Sequence, residues 1–205
     1  MAHRKHADTD HPVHEHLRTR WSPYAFADRP VDPADLRSLF EAARWAASSY
    51  NEQPWRYIVA TRDDEAAFAD LLSCLVEGNQ AWARHAPVLA LGVTKTRFER
   101  NGKDNRAAHH DLGAASASLT FEATDRGLVV HQMIGILPDR ARTLYTIPED
   151  AEALTGLAIG YAGDPSTLSD ALRARDEAPR TRRPLPETVF EGRFGAPASF
   201  LRSGS

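Results

Sequence analysis

The sequence predicts a sheet layer flanked by helices, an α/β or α+β fold held in one main domain. Short apolar runs of strand length alternate with stretches of helical periodicity along the chain. Boundary signals sit where the periods change: Asp32-Pro33 before the first clear helix, Pro87 before a strand, Gly127 after the longest helix. With 205 residues, 42% of them hydrophobic, the chain can bury a sizeable core without disulfides or a structural metal.

In chain order, "MAHRKHADTDHPVHEH" is polar, histidine-rich and free of any apolar core, so residues 1–16 are expected to form a disordered arm outside the secretory-signal class. Residues 17–205 are expected to form a single domain. The first helix opens at Asp32, an N-cap, with Pro33 in its first turn and Leu36, Leu39, Phe40 and Ala43 on one face. "RYIVAT" (56–61) reads as a buried strand, "DDEAAFADLLSCLV" as a capped helix and "VLALGVT" as a second strand. Residues 106–126 form the longest helix, whose "LGAASAS" lets neighbours approach closely. After Gly127, "LVVHQM" is a strand, Pro138 to Tyr145 a short helix and "LTGLAIGYAG" a strand. The tail beyond Ala178 is extended and arginine-rich. This pattern leaves the strand order open.

Composition excludes several functions. No apolar run approaches the roughly 20 residues of a membrane helix, and a net charge of −3 gives no global field for nucleic acid. A lone Cys74 excludes a disulfide framework and fits a reducing compartment, so a cytoplasmic protein is expected. Cys74 lies beside Leu71, Leu72 and Leu75 and reads as inert core. "HHD" at His109–Asp111 sits on a helix, where adjacent residues diverge and cannot share a metal. Ser48 and Ser49 lack a glycine elbow, and no Walker or Rossmann glycine loop occurs.

Phosphate chemistry is the better lead. Lysines number only three, so arginines dominate, and they cluster in "RTRWSPY" and "RTRRP". A guanidinium grips phosphate bidentately, although on spacing alone solvated surface charge is the stronger reading of both clusters. "AASSYNEQPWRYIVAT" adds an unusual density of hydroxyls and amides before a buried strand.

Taken together, "RWSPYAF", "AARWAASSYNEQPWRYIVAT", "GNQAWARHAPV", "DRGLVVHQMIG", "LAIGYAGDP" and "PRTRRPL" resemble the FMN-dependent nitroreductase family in order and spacing, from about residue 17 to 194. The resemblance implies an α+β fold with a central, mostly antiparallel sheet and a domain-swapped type of homodimer with FMN at the subunit interface. It implies hydride transfer from NAD(P)H through FMN to nitroaromatic or quinone acceptors, by a ping-pong mechanism with no obligatory catalytic side chain. Arg20 and Ser22, with Arg180 and Arg182, match the residues that hold the phosphate. Ser48, Ser49 and Asn51 match those that reach the partner's flavin, and Gln53, Pro54 and Trp55 shape the turn. Asn79, with Gln80 as its neighbour, matches the residue at the pyrimidine edge. Ile134 and Gly135 match the segment whose N–H groups face N5 and O4.

Two positions depart from the pattern. Tyr24 stands where many relatives carry a cation near N1 and O2, so the flavin is expected to be harder to reduce. Ala47 replaces a common proline. A specialised dehydrogenase, or a flavin-free member of the fold, is the alternative that these departures leave open.

Overall fold

The computed structural model describes residues 5–201. Four strands form one sheet: β1 (Trp55–Thr61), β2 (Val88–Lys95), β3 (Val129–Met133) and β4 (Ala151–Gly160). Their spatial order is β1-β2-β4-β3, and every neighbouring pair is antiparallel. The helices are α1 (Glu15–Thr19), α2 (Pro33–Arg44), α3 (Glu65–Leu72), α4 (Glu77–Ala83), α5 (Ala108–Asp125), α6 (Pro138–Tyr145) and α7 (Asp170–Glu177). The α+β expectation with a mostly antiparallel sheet holds.

β2 is central because both its faces are apolar. Successive side chains of a strand point to opposite faces, so Val88 and Ala90 meet Leu112, Ala115 and Leu119 of α5 and Leu39 of α2. Leu89, Leu91 and Val93 meet Phe68 and Leu71 of α3, Trp82 of α4 and Ala141 of α6. Two cores therefore lie on the two sides of one sheet. Gly92 marks the shift in β2–β4 register, where a Cβ would come within 2.7 Å of Thr155 Cγ2.

The boundary signals act as expected. Asp32 Oδ1 accepts the Ala34 N–H at 2.7 Å, with Pro33 opening α2. Gly127 adopts φ 71° after α5, and the Leu128 N–H reaches back to Ala123 O at 2.8 Å, a Schellman-type stop. The helix read over "DDEAAFADLLSCLV" ends at Leu72, because the Cys74 and Leu75 N–H groups close tight turns onto Leu71 and Leu72.

Three short helices, α1, α4 and α7, were not legible from periodicity. Within the histidine-rich segment, where a disordered arm is expected over 1–16, the described residues 5–14 form no helix or strand but make a few contacts with the domain. Ala7 N–H donates to Arg18 O at 2.8 Å, Lys5 Nζ lies 5.2 Å over the Trp21 ring, and His16 pairs with Asp125 at 2.7 Å. The polar composition that suggested disorder supplies these long-range contacts instead. Residues 1–4 lie outside the described residues.

Candidate functional site

β3 is the edge strand that organises the site, since its outer side pairs with no strand among the described residues. At the β3 start, the Ser22 hydroxyl reaches Val130 O at 3.5 Å, and Arg20 Nη1 donates to Ser22 Oγ at 3.2 Å. Burial, then the charges of Arg180 and Arg182, pushes the Arg20 guanidinium below its ordinary value. Such mutual repulsion between partly desolvated cations is the electrostatic condition of an anion site. Within the trio the roles differ. Arg180 donates to Lys5 O (3.1 Å), Arg18 O (2.7 Å) and Leu17 O (3.4 Å), so it straps the N-terminal segment to the tail. Arg182 is exposed and, among the described residues, donates only to its neighbour Thr181 O, at 2.7 Å.

At the other end of β3, the loop over 134–137 meets the start of α4. Gly135 O accepts the Val76 N–H at 3.1 Å and Asn79 Nδ2 at 2.9 Å. A Cβ on Gly135 would lie 2.4 Å from Asn79 Nδ2, so this approach requires glycine. Gln80 is turned away, donating to Leu75 O at 2.7 Å, which separates the two amides that the sequence left together. Ile134 is 80% exposed. From Val130 to Ile134 the strand rises roughly 13 Å at about 3.3 Å per residue.

Ser48, Ser49 and Asn51 stand elsewhere. Their loop precedes β1, at the opposite edge of the sheet, and its geometry is set by a buried carboxylate. Asp111, 2% exposed near the start of α5, accepts the Ser49 N–H at 3.0 Å. Ser48 Oγ accepts the Gln53 N–H at 3.0 Å. Between these anchors Tyr50, Asn51 and Gln53 all take positive φ, at 55°, 57° and 51°. Non-glycine residues in that region cost about 1–2 kcal/mol each, and such strain collects at functional sites. Trp55 is core.

Tyr24 points inward. Its ring packs edge-on against Trp82 (5.2 Å) and against His131 (4.8 Å), and its N–H donates to Asp176 Oδ1 at 2.6 Å. Sequence reasoning missed two of the groups around it, Asp176 and His131, as well as Asp111 beneath the serine loop. Asp176 is buried, with Oδ2 unpartnered among the described residues. His131 Nδ1 meets Pro23 O at 2.8 Å, and burial pushes the imidazole below its ordinary value, reinforced by Arg20 and opposed by Pro23 O and Asp176. Asp111 was weighed only as a metal ligand. Its one legible signal was a carboxylate opening a helix of small, apolar residues. His109 pairs outward with Glu152 at 3.0 Å, whereas the adjacent His110 Nδ1 meets Asp111 Oδ1 at 3.1 Å, so within "HHD" His109 diverges and the other two side chains meet.

Residues 17–161 match the family described as Nitroreductase family. The chain belongs to the nitroreductase family. This family member is 34% identical over 152 residues to an uncharacterized 15.4 kDa protein of Mycolicibacterium smegmatis, covering 69% of the chain and 99% of that protein. It is 28% identical over 122 residues to the major NAD(P)H-flavin oxidoreductase of Aliivibrio fischeri, covering 54% of the chain and 56% of that enzyme. A solved oxidoreductase containing FMN superposes with a TM-score of 0.87 at 36% identity, over 93% of this chain and 96% of the other. Among the described residues of this nitroreductase-family chain, no three metal-ligating side chains converge, and no helix is long and apolar enough to cross a membrane.

Proposed function

We propose that the chain is an FMN-dependent oxidoreductase that works as a homodimer. It would take a hydride from NADH or NADPH and pass it to a nitroaromatic, quinone or similar acceptor in a ping-pong sequence. The observation that carries this reading is the Arg20–Arg180–Arg182 cluster, unpaired with any carboxylate among the described residues, at one end of an open edge strand. The tight Asn79–Gly135 contact lies at the other end. These residues fit FMN.

Bound FMN supplies a two-electron acceptor and donor at N5; the protein supplies placement and electrostatics. Arg20 and Arg182 hold the phosphate, with the Ser22 hydroxyl beside them. Arg180 contributes charge while its N–H groups keep the N-terminal segment in place. Charge-assisted bonds to guanidinium offset the desolvation of a dianion. Asn79 and the 134–135 backbone address the ring. Tyr24 serves as the packing floor rather than as a neighbour of N1 and O2, because its ring is spent on Trp82 and His131.

Distance supports the dimeric reading. Ser48, Ser49 and Asn51 stand at the β1 edge, whereas Arg20 and Ser22 stand at the β3 edge. Three strand spacings separate those edges, about 14 Å. Along α5, Asp111 anchors the serine loop, and Asp125, some 21 Å away at about 1.5 Å per residue, pairs with His16 beside the Arg20 segment. The sheet itself lies between the two halves, which favours closing each flavin site with a second chain. A two-fold partner would bring its serine loop to this chain's arginines and receive the same in return.

Purified protein should be yellow and release FMN on denaturation, and it should oxidise NADH or NADPH with menadione as acceptor. Colourless protein that stays colourless with added FMN overturns the reading in favour of a flavin-free member. FMN-loaded protein that turns menadione over poorly points to a specialised dehydrogenase.

A further inference from the structure

The serine loop carries one feature that cofactor binding does not use. Tyr50, between Ser49 and Asn51, is 75% exposed and is held in the left-handed region by its neighbours' anchors. The Arg100 guanidinium lies 4.2 Å over the Tyr50 ring and 5.1 Å over Phe98, and the two rings meet edge to face at 5.8 Å. The nearby cations are spoken for: Lys95 and Arg56 reach Glu99, and Arg97 reaches Asp104. Arg100 has no carboxylate among the described residues. Its segment, 95–106, holds five cations and two carboxylates within a chain of net charge −3. Most of that segment connects β2 to α5 as a tight ribbon, closed by an Arg97–Asp104 bridge and the Phe98 N–H to Lys103 O bond at 2.8 Å, which holds Phe98 and Arg100 beside Tyr50.

We propose that Tyr50, Phe98 and Arg100 form a recognition platform for planar aromatic substrates bearing an anionic group, such as a carboxylated nitroarene. The exposed Tyr50 ring, braced edge to face by Phe98, stacks the substrate ring, and the edge of the Arg100 guanidinium, which no carboxylate engages among the described residues, takes the carboxylate bidentately. The inference rests on the dimeric reading above, in which this loop sits at the partner's flavin and so at the mouth where acceptors enter. Strain at Tyr50 fits the same role. The anchors that aim Ser49 and Asn51 at the cofactor also fix Tyr50 outward, where a freely rotating loop would fold the aromatic ring against the surface.

Titration calorimetry on the full-length protein as purified, with benzoate and its neutral isostere benzamide, tests the platform without a flavin signal. Wild type is expected to prefer benzoate by tenfold or more, the worth of one charge-assisted contact. Arg100→Gln should abolish that preference and leave benzamide affinity and FMN content unchanged, whereas Tyr50→Leu should weaken both ligands. Equal affinity for the two ligands in wild type, or a preference that survives in Arg100→Gln, overturns the proposal. So does an Arg100→Gln variant that loses NADPH affinity while keeping benzoate preference, which would give the platform to the donor's phosphates. Failure of the flavin reading shows separately, as colourless protein.

Discussion

Arg20 and Arg182 are the side chains on which cofactor affinity should turn, because neither is consumed by long-range contacts as Arg180 is. Arg20→Ala and Arg182→Ala should each weaken FMN binding by about one to two decades, the equivalent of roughly 1.5–3 kcal/mol. Riboflavin, which lacks the phosphate, should lose far less, and paired equilibrium titrations check the difference. Tyr24 obeys packing instead. Tyr24→Arg must place a guanidinium between Trp82 and His131 and close to Arg20. Thermal unfolding should report a loss of roughly 1–3 kcal/mol from overpacking. A redox titration should find the midpoint potential of the surviving protein unchanged; an upward shift at full stability would return Tyr24 to the flavin's edge. His131 sets an acid limit. Its folded pKa is depressed, chiefly by burial, from an ordinary 6.5. The unfolded chain therefore binds a proton that the folded chain refuses, and stability should fall as pH drops below about 6.5. His131→Gln should flatten that limb in urea midpoints measured against pH.

Among the elements, the loop over residues 48–53 and the start of α5 act as one unit. Three residues at positive φ are tolerated because Asp111 and Ser48 hold backbone N–H groups on either side of them. Asp111→Ala leaves the Ser49 N–H without its partner and should cost about 1–3 kcal/mol. The same variant should also lower FMN affinity, since the loop loses the restraint that aims Ser49 and Asn51. Loss of stability with FMN affinity intact would mean that the loop merely caps α2. α5 is bonded to the sheet along its length, since Thr94 Oγ1 donates to Ala108 O near its start. Gln132 Nε2 on β3 donates to Ser116 O and Thr120 Oγ1 further along.

For the whole molecule, a shared site makes a prediction that no single-chain site can meet. Arg20→Ala and Asn51→Ala damage different halves, so each homodimer carries two damaged sites. A mixed dimer concentrates both lesions in one site and leaves the other intact. Refolding equal amounts of the two variants together makes about half of the dimers mixed, each with one intact site, and should therefore restore about a quarter of the wild-type tight FMN sites, read as bound FMN per chain. Restoration no better than the average of the separate variants would place both halves in one chain. Sedimentation of a stable monomer fully loaded with FMN would lead to the same conclusion.

Much of the fold was legible because its signals are local. Asp32-Pro33, Pro87 and Gly127 act through their own backbone geometry, so the positions of α2, β2 and α5 follow from the sequence around them. The family was legible too, because "SSYNEQPW" and the flanking arginines keep their order and spacing. α4 and α7 escaped because each is only about two turns long and, unlike the equally short α6, opens without a proline to mark its start. Strand order, the inward turn of Tyr24, the strapping role of Arg180 and the burial of Asp111 and Asp176 were decided by tertiary structure. Each depends on which distant segment arrives beside it: β4 between β2 and β3, Trp82 and His131 around Tyr24, the Lys5–Arg18 segment against Arg180. A sequence states the hydrogen-bonding capacity and size of each side chain. Which partner satisfies that capacity is settled only when the sheet and its two cores close, because burial makes an unmet polar group costly and so selects one arrangement.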